Sequence, residues 1–160
     1  MMGIDLSQLK VYVVQPVHAA FGPAWNTEAA LVLSLGTAIH ESQTGTYLHQ
    51  EDNGPALGAW QMEPFTHDDC WQNYLNYRAD TAASVRRFQV PNAGAAQMAW
   101  NLAYACAMAR VKYIRAPDPL PASNDFAGLA AYYKRFYNSA LGAAVDDAAL
   151  VDCFRQAAAA

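Results

Sequence analysis

The stretch Leu31-Val32-Leu33-Ser34-Leu35-Gly36-Thr37-Ala38-Ile39-His40-Glu41-Ser42 decides how the chain reads, because it runs an apolar helical stripe directly into a carboxylate. At about 3.6 residues per turn, Leu31, Val32, Leu35, Ala38, Ile39 and Ser42 share one face, and Glu41 stands on its shoulder beside Ser34 and Ala38. A carboxylate in that place is half surrounded by apolar groups. Desolvation there disfavours the ionised form, raises the pKa and keeps a carboxylic acid protonated near neutral pH, as protonation of a glycosidic oxygen requires. The competing reading of the same residue is a solvated glutamate in the last turn of a helix.

Working outward, Asn26 or Thr27 caps this helix, and a polar loop follows it from Gln43. The loop over residues 43–63 could hold a small β-hairpin, since Asn53-Gly54 is a hairpin-turn step, although Pro55 weakens it. The rest of the chain is expected to be helical. Asp5 caps a first helix, with Gln8 at the capping-box position and Ile4 and Leu9 as a staple; Pro16 kinks or ends it, and Gly22-Pro23 closes the segment. Thr66 with Asp69 starts a third helix reaching about Arg78, and Asp80 caps a short fourth that stops before Pro91. Over residues 93–114 the spacing of Met98, Leu102, Ala105, Ala109 and Val111 or Lys112 describes one long Ala-rich helix, suited to a core position. Asn124 or Asp125 caps the next helix, to about Tyr137, and Asp146 or Asp147 caps the last.

Downstream of Glu41, Gly54-Pro55-Ala56-Leu57-Gly58-Ala59-Trp60-Gln61-Met62-Glu63-Pro64 brackets an apolar stretch that ends in an amide. Together these segments resemble the lytic transglycosylases and goose-type lysozymes, which carry Glu-Ser at a core-helix end, then a Gly-Leu-Met-Gln type loop with a proline, then an aromatic-Asn element. Glu41-Ser42 matches the first, Gly58-Ala59-Trp60-Gln61 with Pro64 the second, and Phe136-Tyr137-Asn138 is a looser match to the third. The resemblance covers roughly residues 27–142, and Trp60 stands where the family pattern has Met. The segment Gly-Pro-Ala-Leu-Gly-Ala-Trp-Gln-Met-Glu-Pro-Phe-Thr-His-Asp-Asp at residues 54–69, followed by Tyr104 to Arg115 and then Pro117-Asp118-Pro119-Leu120-Pro121, also resembles short transglycosylase-like virion structural proteins of tailed phages.

The resemblance implies a mainly α, lysozyme-like (transglycosylase-type) single domain over residues 1–160. It implies Glu41 as the single catalytic acid, with a 1,6-anhydro product formed by help from the substrate's own N-acetyl group. A hydrolytic version would need a base for water, and Glu51, Asp52 and Glu63 are the loop carboxylates available. Candidate substrate-binding residues are Ser42, Tyr47, Gly58, Trp60, Gln61, Tyr137 and Asn138. Gln61 reads either as a donor to an N-acetyl or hydroxyl group or as a residue that satisfies loop backbone. Trp60 and Tyr47 offer flat faces to sugar rings, with core packing the alternative for Trp60. Tyr137 and Asn138 either close the far wall or end a helix.

At 160 residues the chain is long enough to bury about 68–70% of its unfolded surface without a metal or disulfide. Its composition is 54% hydrophobic, 15% charged and 12% aromatic, which argues against disorder and leaves apolar surface for a partner. A net charge of -4, with Arg86-Arg87 and Lys134-Arg135 the only basic pairs, argues against nucleic-acid binding. Cys70, Cys106 and Cys153 form no CxxC pair and read as small hydrophobes. His40, His49 and His67, with Asp68 and Asp69, match no standard zinc spacing, so neither metal nor cofactor is expected. No basic region leads into an apolar segment with a cleavage site, and no stretch of about 20 apolar residues could span a bilayer. The expectation is a protein made in the host cytoplasm without a signal peptide and carried in the phage particle, at tail or neck. Its partners would be the peptidoglycan glycan strand and other virion subunits. Two functions follow from this reading: a virion-associated peptidoglycan-cleaving enzyme, or a non-catalytic structural virion protein that keeps the fold.

Overall fold

Thr27 and Asp125 explain where two of the main helices begin. The Thr27 hydroxyl accepts from the Ala30 amide to start α3 (Glu28–Ser42), and the Asp125 carboxylate accepts from the Gly128 amide to start α7 (Phe126–Phe136). The computed structural model describes residues 3–138 and 147–160. Over these the protein is mainly α, in the order α1 (Leu6–Leu9), α2 (Gln15–Ala20), α3, α4 (Pro64–Asn73), α5 (Ala79–Arg86), α6 (Leu102–Ile114), α7 and α8 (Asp147–Ala159). Asp146 lies outside the described residues, as does Gly142 at the end of the resemblance.

Asp5 caps α1 by accepting from the Gln8 amide, as expected. Pro16 does not end that helix. The turn before it, Lys10–Val14, widens to π-helical form with the Gln15 amide donating to the Lys10 carbonyl, and α2 continues through the proline. A wider turn relieves the clash a proline ring makes with the carbonyl four residues back. α4 begins at Pro64, before Thr66, because a proline is preorganised for the first helical position. Asp80 lies inside the first turn of α5 and does not cap it.

The long helix expected over residues 93–114 is divided. Ala95–Ala99 forms a 3-10 turn, and α6 starts only at Leu102. The break is made by Asn101, whose side-chain oxygen accepts from the Tyr104 amide while its nitrogen donates to the Phe88 carbonyl. An asparagine offered both partners favours a cap over a helix interior. The hairpin is reduced to two isolated antiparallel bridges, His49 with Leu57 and Leu57 with Met62.

Both α3 and α6 are buried on nearly all sides, so the apolar stripe seen in the sequence understates how deep α3 lies. Its polar residues are matched inside: Ser34 Oγ pairs with His18 Nε2 at 2.9 Å, and Thr37 Oγ1 bonds the Leu33 carbonyl and the Tyr113 hydroxyl, each at 2.7 Å. The principal neighbour of α3 is α8, not the Ala-rich helix. Gly36 makes that approach possible, since a Cβ there would stand 2.2 Å from Phe154. These contacts fix the end of α3, and with it Glu41.

Candidate active site

α3 ends in a left-handed cap at Gln43 (φ 50°), with the Gln43 amide donating to Ile39 and the Thr44 amide to Ala38. Glu41 therefore sits in the last turn, where the chain leaves the core. Its carboxylate faces a cleft of about 460 Å³ formed by this helix end, the 47–63 loop, α6 and the end of α7. That volume lies in the ordinary range for small-ligand sites.

Three influences act on Glu41. Burial raises its pKa, while the Tyr133 hydroxyl, which donates to Oε1 at 2.5 Å, and the Lys112 ammonium both lower it. Burial wins, and the pKa is pushed up to about 7. A pKa near neutrality keeps the protonated acid available at neutral pH, and two groups stand ready to stabilise the carboxylate once the proton has left. Lys112 is itself pushed down by burial; its ammonium donates to the Tyr137 carbonyl and lies 4.5 Å over the Tyr137 ring. His40 meets the Tyr133 ring edge-on at 5.3 Å, and burial lowers its pKa.

The loop is shaped by a tight turn at Gly58-Ala59-Trp60-Gln61. The Leu57 and Met62 amides and carbonyls bond reciprocally at 3.0 and 3.1 Å, and the Gln61 amide donates to the Gly58 carbonyl. Gly58 has φ 78°, and a Cβ there would meet the Met98 carbonyl at 2.2 Å, so the position requires glycine. Gln61 is also left-handed, at φ 45°.

The structure brings Glu41, Tyr47, Gln61, Tyr137 and Asn138 to one cleft, together with Glu51, Asp52 and Glu63. The three loop carboxylates are exposed, so the rim is acidic with Lys112 as the opposing charge. Gln61 is both a lining residue and a backbone satisfier: its Nε2 donates to the Gly58 carbonyl at 2.8 Å and the Tyr47 carbonyl at 3.4 Å. Tyr137 presents its ring, but its hydroxyl is committed to the Trp60 carbonyl at 2.7 Å.

Three expected binding residues are instead scaffold. Trp60 is 1% exposed and its indole donates to the Ser34 carbonyl at 2.9 Å, so it has no face for a sugar. A large ring in the turn that packs on α3 is buried for its apolar area. Ser42 is buried; its hydroxyl donates to the Ala59 carbonyl at 2.6 Å and accepts from the Gly45 amide at 2.8 Å. Gly58 is buried beneath the loop, away from the cleft. Trp60, Ser42 and the Tyr137 hydroxyl tie the loop to α3 and to the end of α7.

Sequence reasoning missed Tyr133 and Lys112. Tyr133 is one helical turn before Tyr137, and the two rings stack at 5.8 Å, so the spacing itself was the signal. The spacing left Val111 or Lys112 on the packed stripe of the Ala-rich helix; Val111 is the buried one, and Lys112 lines the cleft. His67 bonds Asp68 through Nδ1 and the Tyr104 hydroxyl through Nε2, and no cluster of three or more His, Cys, Asp or Glu suited to a metal occurs among the described residues. No helix among them is long and apolar enough to cross a membrane.

No family model, curated protein or solved structure matches the chain.

Proposed function

We infer that this protein cleaves the glycan strand of peptidoglycan, as a lytic transglycosylase or muramidase carried in a phage virion, with Glu41 as general acid. The observation that carries this reading is a carboxyl group with pKa about 7 in an open polar cleft, beside groups that stabilise its anion. In this mechanism Glu41 gives its proton to the glycosidic oxygen as the bond to the anomeric carbon breaks and positive charge develops at the sugar. The Tyr133 hydroxyl and Lys112 then hold the resulting carboxylate. In the anhydro route the substrate's N-acetyl group assists, the sugar's own 6-hydroxyl closes on the anomeric carbon, and its proton returns to Glu41. In the hydrolytic route water attacks instead, and the base would come from Glu51, Asp52 or Glu63 at the rim. Gln61, Tyr47 and Asn138 line the cleft and would hold the sugar. The virion setting rests on the resemblance of residues 54–69, 104–115 and 117–121.

A specific observation also favours the structural reading. Tyr12, Phe65, Tyr77 and Trp100 are between 60% and 80% exposed, large apolar side chains that neighbouring virion subunits would cover. Both readings are tested by incubating purified protein with peptidoglycan and analysing the muropeptides by mass. Anhydro or reducing-end fragments that vanish with Glu41→Gln support cleavage, and no fragments from the wild type supports the structural role.

A further inference from the structure

Arg110 is 3% exposed, on the opposite side of α6 from the Glu41 cleft: two residues before Lys112, about 200° around the helix. A buried guanidinium ordinarily has a carboxylate partner, because taking a charge out of water unpaired is costly. Arg110 has none among the described residues. Its Nε and Nη2 donate to the Trp25 carbonyl at 3.3 and 3.1 Å, its guanidinium lies 5.8 Å from the Trp25 ring centroid, and Nη1 makes no hydrogen bond to the described residues. Burial pulls its pKa down to about 10.

Arg110 lines a second cavity, of about 620 Å³, whose other walls include Trp25, Leu120, Pro117 and Tyr132. One carboxylate borders it, Asp118, and that group is taken: Arg135 Nη1 donates to its Oδ2 at 2.5 Å, while the Asp118 carbonyl accepts from the Tyr132 hydroxyl at 2.9 Å. The cavity thus combines a buried cation that has no carboxylate partner among the described residues with apolar and aromatic walls, and its own acid is paired with Arg135.

We propose that this cavity binds an apolar carboxylate, the anion pairing with the Nη1 side of Arg110 and the hydrocarbon or aryl group lying against Trp25 and Leu120. An incoming carboxylate supplies the missing counter-charge in the planar geometry a guanidinium fork prefers. The apolar part of the ligand adds burial that a bare anion would lack. The site is independent of the Glu41 reading.

The test is NMR titration of the full chain with 3-phenylpropionate and with its neutral analogue 3-phenylpropionamide, following the Arg110 Nε–H and Trp25 indole signals. The acid should give saturable shifts and bind at least about tenfold more tightly than the amide, the ratio expected for one charge-assisted hydrogen-bonded pair. Arg110→Met, which replaces charge with apolar volume, should lose the Trp25 response, whereas Glu41→Gln should retain it. Equal affinity for acid and amide, absence of saturable shifts, or unchanged binding by a folded Arg110→Met protein would overturn the proposal. The acid-to-amide ratio is read on the wild type, so it holds even if the variant does not fold. N-acetyl-Ala-Phe with a free C-terminus separates the two sources of such a group: tighter binding than 3-phenylpropionate assigns a peptide end, and weaker binding a free organic acid.

Discussion

The Tyr133 hydroxyl donates to Glu41 Oε1 at 2.5 Å, joining residues 92 positions apart in the sequence. The bond favours the ionised carboxylate, yet Glu41 remains raised to about 7 because burial outweighs it. The site is therefore balanced, and removing either stabilising neighbour should move the balance in a known direction.

Tyr133→Phe removes the donor and keeps the ring. The Glu41 pKa should rise further, by about one to two units if the bond has the strength usual for a charged acceptor. Carboxyl ¹³C NMR titration of wild type and variant measures this directly. An unchanged or lower pKa would show that the hydroxyl does not act on the carboxylate as described.

Glu41 also makes stability depend on pH. The folded state holds the proton more tightly than the unfolded chain does, so stability is fullest below pH 4.5 and falls as pH rises toward 7. The loss is on the order of 3 kcal/mol, from a shift of 4.5 to about 7. Glu41→Gln removes the penalty and can still accept from Tyr133. Its melting temperature should exceed that of the wild type at pH 8 and match it at pH 4, by calorimetry at the two pH values.

Trp60 and Gly58 should behave as structural residues. Trp60→Ala should cost about 3–5 kcal/mol in denaturant unfolding, as truncation of a buried tryptophan usually does. Gly58→Ala should be destabilising by at least about 1 kcal/mol, because φ is 78° and the new methyl meets the Met98 carbonyl at 2.2 Å. A Trp60→Phe protein that stays folded should keep its affinity for glycan fragments. Loss of that affinity with an unchanged melting curve would return Trp60 to the binding surface.

The helical character and three of the helix starts were legible because capping is local: Asp5, Thr27 and Asp125 each bond an amide three residues on. Glu41's burial was legible too, from an apolar run ending in an acid. What was not legible depended on distant partners. Asn101 breaks the Ala-rich segment by reaching back to Phe88, and α3 lies against α8 through Gly36 and Phe154. The motif around Gly58 and Trp60 marked the loop correctly, but sequence spacing does not say which side of a loop faces solvent. Trp60 and Ser42 turn inward, where the indole donates to the Ser34 carbonyl and the hydroxyl to the Ala59 carbonyl.

The central claim, that Glu41 supplies the proton for glycan cleavage, is tested most directly by comparing wild type and Glu41→Gln on purified peptidoglycan across pH. The wild type should release anhydro or reducing-end muropeptides with a rate that falls as pH rises through about 7, the Glu41 pKa, and Glu41→Gln should release none. Release by Glu41→Gln within about twofold of the wild-type rate, or no release by the wild type at any pH, would contradict it.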